Sequence, residues 1–161
     1  MKNSGVPHVT PVSKVTTAPE MLDGRVKTLH PQLMGGILAL RDKTDHMKEL
    51  TRLHIKPIDL VVCNLYPLAR IPERDRDLQT FLNTIDIGGP ALIRAAAKNF
   101  PHVVVIVDPE RYDRVLQELK TMGDVSIETR SALASDAFQK TARYDHEISR
   151  WFNAFVSTER R

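Results

Sequence analysis

The sequence predicts an α/β fold in which a parallel sheet is flanked by helices, and three observations predict it. Two short, continuous apolar runs, "IDLVVCNLYP" (58–67) and "HVVVIVDP" (102–109), have the length and β-branched content of buried strands. Segments of helical spacing lie between and after them, the alternation that builds a parallel sheet with helical crossovers. The 161 residues, 42% hydrophobic and 27% charged, suffice for one domain with a real core.

The elements follow in chain order. "HVTPV" (8–12) is β-branched but interrupted by Pro11, which admits at best an edge strand. Residues 14–31 lack periodicity and carry Pro19, Gly24 and Pro31, so a long loop is expected, and loops of that length tend to be functional. One helix is expected over part of "GGILALRD" (35–42) and another over "TDHMKELTRLHI" (44–55). The 58–67 run reads as a buried strand ended by Asn64 and Pro67. "DLQTFLNTI" (77–85) has helical spacing at Leu78, Phe81, Leu82 and Ile85. "DIGGPALIRAAAKN" (86–99) turns through two glycines into a helix with Pro90 at its first position, where proline is best tolerated. The second strand precedes a helix over "ERYDRVLQELKTM" (110–122). From Ile127 to Phe155 the pattern is helical throughout, with internal breaks left open.

Composition narrows the function. The net charge of +3 and pI of about 9.1 come from Lys and Arg spread along the chain. A nucleic-acid binder concentrates them in a patch, so no nucleic-acid partner is expected; a small anion needs only a few, focused in one cleft. A single cysteine, Cys63, excludes an intrachain disulfide and suits a reducing cytoplasm. "MKNSGVPHVTPV" has no apolar signal region, and the longest apolar run, "VVVIV" (103–107), is too short to cross a bilayer. A cytoplasmic protein without a membrane partner is expected. His30, His46 and His54 do not form a metal-ligand pattern, and there is no Walker loop, G-x-G-x-x-G or G-x-S-x-G.

In parallel sheets ligands gather outside the carboxyl ends of the strands. Asn64 and Tyr66, two apart after the first strand, point to one side of an extended chain while Cys63 and Leu65 point to the other. Tyr66 is then either a site residue or a cap on the core with a wet hydroxyl. The Gly88–Gly89 helix start offers free N–H groups and a positive dipole end to an anion or a developing oxyanion, or is only a glycine turn. Arg94 and Lys98 share one helical face, and a bound anion or Asp86 would offset their repulsion. "DGRVKTLHP" (23–31) adds Arg25, Lys27, Thr28 and His30, as a ligand loop or as a solvated basic one.

Taken together, "PEMLDGRVKTLHP" (19–31), "GGIL" (35–38), "CNLYP" (63–67), "IDIGGPALIRAAAKN" (85–99) and "TARYDHEIS" (141–149) resemble one family. It is the IMP cyclohydrolase domain of the bifunctional purine-biosynthesis enzyme that also carries an AICAR transformylase. The match is collinear from about Gly5 to Phe155. It implies a methylglyoxal-synthase-like α/β fold, with residues 1–161 as a single, partial cyclohydrolase domain. It also implies the last step of de novo purine synthesis: formamido-imidazole-carboxamide ribotide (FAICAR) loses water and closes to IMP. Lys27, Tyr66, Asp86 and Lys98 fall on the family's catalytic positions.

Asp86, coupled to Lys98, would move the proton, while Lys27 and Tyr66 would stabilise the oxyanion. Arg25, Thr28, Asn64, Ile87, Gly88 and Gly89 would hold the purine nucleotide. The reaction asks for no metal, redox group or other cofactor. The chain departs from the family pattern at "TTAPE" and at Met34. The resemblance further implies an N-terminal segment that would complete the sheet and the phosphate site. A homo-oligomer, or a complementing N-terminal segment, is the expected partner. The competing reading is a non-catalytic nucleotide- or phosphate-binding module of the same fold.

Overall fold

The computed structural model describes residues 8–68 and 77–159. Gly5, where the resemblance begins, lies outside them. The elements are α1 (Val12–Thr16), α2 (Pro31–Leu38), α3 (Thr44–Arg52), β1 (Leu60–Val62), α4 (Leu78–Thr84), α5 (Gly88–Lys98), β2 (Val104–Ile106), a 3-10 turn (Pro109–Arg111), α6 (Tyr112–Met122) and α7 (Ile127–Glu159). β1 and β2 pair in parallel, with Leu60, Val61 and Val62 beside Val104, Val105 and Ile106. α4 and α5 lie in the crossover between them, as parallel pairing requires. The expected α/β class, a small parallel sheet among helices, is present.

The two strands differ in burial. Val103 to Val107 are all buried, so β2 is covered on both faces. In β1 only Val61 is buried; Leu60 is 42% exposed and Val62 48%. The expected buried strand is therefore half open. A continuous apolar run cannot distinguish a strand packed on both faces from one packed on one.

Other elements start elsewhere than expected. "HVTPV" forms no strand: Pro11, extended at ψ 147, caps the N-terminal end of α1. Having no N–H, it has nothing to donate to a ladder. Residues 14–31 are not one loop, since α1 occupies 12–16 and Met21 bridges Val26 across a tight turn. α2 begins before "GGILALRD", because Pro31 takes the first helical position and His30 Nδ1 caps it, accepting the Gln32 N–H at 3.1 Å. α5 starts at Gly88, which puts both glycines inside the helix and Pro90 third rather than first. The missing proline N–H costs nothing there, since the first four amides have no partner within a helix. α7 runs unbroken for 33 residues, about 50 Å at 1.5 Å per residue.

The core is built on α5, β2 and α7. Ala95, Ala96 and Ala97 are buried, and their small size lets α5 lie close to its neighbours. Along α7, Leu133, Ala137, Thr141, Tyr144, Ile148, Trp151 and Phe155 recur every three or four residues and form the inward stripe. Buried Asn99 follows α5 and donates from Nδ2 to the carbonyls of Ile37 at 2.6 Å and Ala39 at 3.0 Å. It ties the end of α5 to the exit of α2, and a buried amide needs such partners.

Candidate active site

Part of the set singled out by sequence, Thr28, Asp86, Gly88 and Gly89, gathers around Leu65 just past the carboxyl end of β1. Cys63 still donates its N–H to Ile106, at 3.0 Å. Beyond it the chain alternates as expected: Cys63 and Leu65 turn inward, whereas Asn64 and Tyr66 face solvent. Tyr66 is 57% exposed, so it does not cap the core.

Asp86 joins α4 to α5 and is held from two directions. Its backbone N–H donates to the Tyr144 hydroxyl at 2.7 Å, and its Oδ1 accepts the Gly89 N–H at 2.8 Å. The carboxylate thus caps the first turn of α5, where the dipole favours negative charge. The two glycines are there for space. A Cβ on Gly88 would strike Thr28 Oγ1, and one on Gly89 would strike Asp86 Oδ2 and come within 2.9 Å of Leu65 Cδ2. Thr28, Leu65, Asp86 and the α5 N-terminus are therefore packed at one point.

Asp86 also sets the local electrostatics. Burial foremost, and then the Asp86 charge, push the Cys63 thiol up from its ordinary value. Burial likewise pushes the Tyr144 phenol up, with the Asp86 N–H bond acting against it and the Asp86 charge adding to it. Both groups ordinarily keep their proton at neutral pH, and the upward shifts extend that range to higher pH.

"DGRVKTLHP" is no idle basic loop, for its residues are individually engaged. Leu22, Asp23 and Gly24 make a left-handed turn with φ of 54, 54 and 85°. Arg25 Nη2 donates to Asn83 Oδ1 just after it, Lys27 pairs with Glu20, Thr28 abuts Gly88, and His30 caps α2. Left-handed geometry at a leucine and an aspartate costs roughly 1–2 kcal/mol each, and the same geometry recurs at Thr17 and His54.

The structure brings together Thr28, Asp86, Gly88 and Gly89, with Asn64 and Tyr66 flanking Leu65 beside them. Ile87 is 62% exposed and turns its side chain outward. Lys98 is not brought in. It is the last residue of α5, ten residues past Gly88, or about 15 Å along the axis, farther than a lysine side chain reaches. Among the described residues no ion pair joins Asp86 to Lys98, and the Gly89 amide lies beside the carboxylate. Arg94, one turn before Lys98, lies over the Phe138 ring at 5.5 Å.

Sequence reasoning missed Tyr144, Glu20 and Asn83. Tyr144 carried a signal: it falls on the inward stripe of α7, and a buried tyrosine hydroxyl usually has a partner. Glu20 and Asn83 carried none, being polar residues in polar stretches. Among the described residues, no three His, Cys, Asp or Glu side chains gather as a metal-ligand set. No described helix is long and apolar enough to cross a membrane.

Comparison with known proteins places these features in context. Residues 1–91 match the MGS-like domain model, and residues 96–161 match the AICARFT/IMPCHase bienzyme model. The chain is 50% identical over 153 residues to the bifunctional purine biosynthesis protein PurH of Persephonella marina, covering 95% of this chain and 30% of that protein. It is 51% identical over 149 residues to PurH of Acetivibrio thermocellus, covering 92% of this chain and 29% of that protein. The chain therefore spans about 30% of the length of these curated relatives. A crystal structure of ForH superposes with a TM-score of 0.79 at 40% identity, covering 90% of this chain and 76% of that one.

Proposed function

The chain belongs to the family of MGS-like domains, and on that footing we propose that it is an IMP cyclohydrolase, closing FAICAR to IMP with loss of water. The observation that carries the reading is the placement of Asp86. Its carboxylate is locked by one oxygen to the Gly89 amide, at a helix N-terminus, beside two glycines that leave no room for side chains. The curated relatives in purine biosynthesis support the substrate class.

Ring closure needs a base and an oxyanion site. The carboxamide nitrogen adds to the formyl carbon and gives up one proton. The formyl oxygen then leaves as water while the formamido nitrogen gives up another. Asp86 takes the first proton on Oδ2, since among the described residues its hydrogen bond runs through Oδ1. Lys27 and Tyr66 serve the developing oxyanion, Lys27 by exchanging Glu20 for the substrate. Thr28, Asn64, Arg25, the Ile87 backbone and the Gly88 amide orient the base, while the Gly89 amide holds Asp86. Lys98 is out of reach of Asp86 within one chain, so Asp86 exchanges its proton with substrate and solvent. In this reading residues 1–161 act as one cyclohydrolase unit in the cytoplasm, on a small purine nucleotide.

The test is formation of IMP from FAICAR by the purified chain. Asp86→Asn and Lys27→Ala are each expected to lower the rate about 100-fold, the usual scale for a positioned acid, base or oxyanion donor. Their urea unfolding midpoints should stay near that of the unmodified chain. Wild-type rates in both variants would sink the assignment. Binding of XMP without turnover by the unmodified chain would favour the nucleotide-binding module instead.

A further inference from the structure

Tyr144 stands well outside the segments that supply the site. It comes from the middle of α7, its residue is 5% exposed, and its hydroxyl ends on the backbone of Asp86. The bond spans 58 residues of sequence and has the length of a strong one, 2.7 Å. We propose that Tyr144 is a positioning residue that sets where the Asp86 carboxylate stands. Three observations carry this. The Asp86 N–H lies in the link between α4 and α5, and among the described residues its acceptor is the Tyr144 hydroxyl. The carboxylate of the same residue is fixed by Gly89, so a shift of the Asp86 backbone must either break that second bond or drag the start of α5. Gly88 and Gly89 press against Thr28 and Leu65, so α5 has nowhere to follow.

Tyr144 thus supplies one end of a clamp whose other end is the Gly89 amide, with the carboxylate between. A phenol is protonated at neutral pH and burial pushes its ionisation higher still, so the hydroxyl stays a neutral acceptor for the N–H. No proton passes through Tyr144 in the reaction. The role in placing Asp86 stands on geometry alone, whereas the kinetic consequence rests on the cyclohydrolase reading.

Tyr144→Phe in the full chain is the test, because it removes one oxygen and leaves the ring in the core. Three quantities are read: hydrogen exchange at the Asp86 and Gly89 amides, FAICAR turnover, and the urea midpoint. The expected result is faster exchange at both amides and a kcat lowered by roughly 10–100-fold, the scale for a misplaced catalytic group. KM should stay within about twofold, since substrate contacts are left in place. A purely structural tyrosine would instead lower the midpoint and leave kcat per folded molecule unchanged, which would overturn the proposal. Unchanged exchange at Asp86 and Gly89 would also overturn it, whatever the activity. If the unmodified chain turns over no FAICAR yet the variant loosens both amides, the cyclohydrolase reading fails and the clamp stands. Should Tyr144→Phe not fold, fluorotyrosine at position 144 keeps the ring and the hydroxyl but weakens the acceptor. Faster Asp86 exchange then supports the clamp, and unchanged exchange rejects it.

Discussion

Replacing a helical glycine by alanine ordinarily stabilises a helix by about 1 kcal/mol, yet Gly89→Ala is expected to do the opposite here. Its Cβ would meet the Asp86 carboxylate, with Cγ at 3.0 Å, and Leu65 at 2.9 Å. Overpacking of this kind costs roughly 1–3 kcal/mol, so the urea midpoint should fall and IMP formation should fall further. A raised midpoint would show that Asp86 can step aside. Cys63 gives a second measurement at this scale. With its pKa raised by burial and by Asp86, the folded chain holds the thiol proton, and that contribution to stability is full below the ordinary thiol ionisation. It is lost as pH rises through the folded value. Asp86→Asn removes the like charge, so iodoacetamide should alkylate Cys63 faster at a fixed pH near 8; an unchanged rate would separate the two groups. Single residues were only partly legible in sequence. Asp86 and the glycines could be found from the Gly-Gly-Pro helix start that follows the 77–85 helix. The pairing of Lys27 with Glu20 could not, because nothing local distinguishes one exposed glutamate from another.

At the scale of elements, periodicity located α4, α6 and α7 within a few residues, since each has one apolar stripe facing one core. It placed the start of α2 too late, because the true start is a capping event at His30 and Pro31 rather than a hydrophobic one. It also could not show that β1 is open on one face, which depends on what packs there. The contact between α4 and α7 is likewise invisible in sequence. Phe81 stacks on Trp151 at 3.8 Å, and Phe155 also stacks on Trp151, at 5.2 Å. Trp151→Ala should therefore cost about 3 kcal/mol, the low end for a large aromatic because Trp151 is only partly buried. Trp151 is also the chain's single tryptophan, so its fluorescence reports the docking of α4 directly. A loss well under 1 kcal/mol would mean that the stack contributes little.

For the whole molecule, the open side of the sheet decides behaviour in solution. Asp59 and Cys63 use their backbone groups toward β2, so by alternation those of Leu60 and Val62 face outward, with exposed apolar side chains beside them. Edges of this kind invite pairing with another chain. Association that grows with concentration is expected in sedimentation, and Val62→Lys should weaken it; a monomer at millimolar concentration would contradict this. The fold class was legible because two apolar runs and their helical neighbours admit few arrangements. The open edge was legible only through the family resemblance, which implies a further strand beside these two; which strand is left uncovered is a property of the assembled molecule. The length of α7 has a consequence of its own. Tyr144 and Trp151 lie seven residues apart on one face of a single rod, about 10 Å by helix rise. One grips Asp86, and the other grips α4, the element that leads into Asp86. The carboxylate is therefore triangulated from two fixed points on one beam, like a hinge bolted twice to the same post. On warming, such a joint does not loosen gradually. It holds its alignment until the beam itself lifts away, so heat should extinguish catalysis and shift tryptophan emission at one and the same temperature.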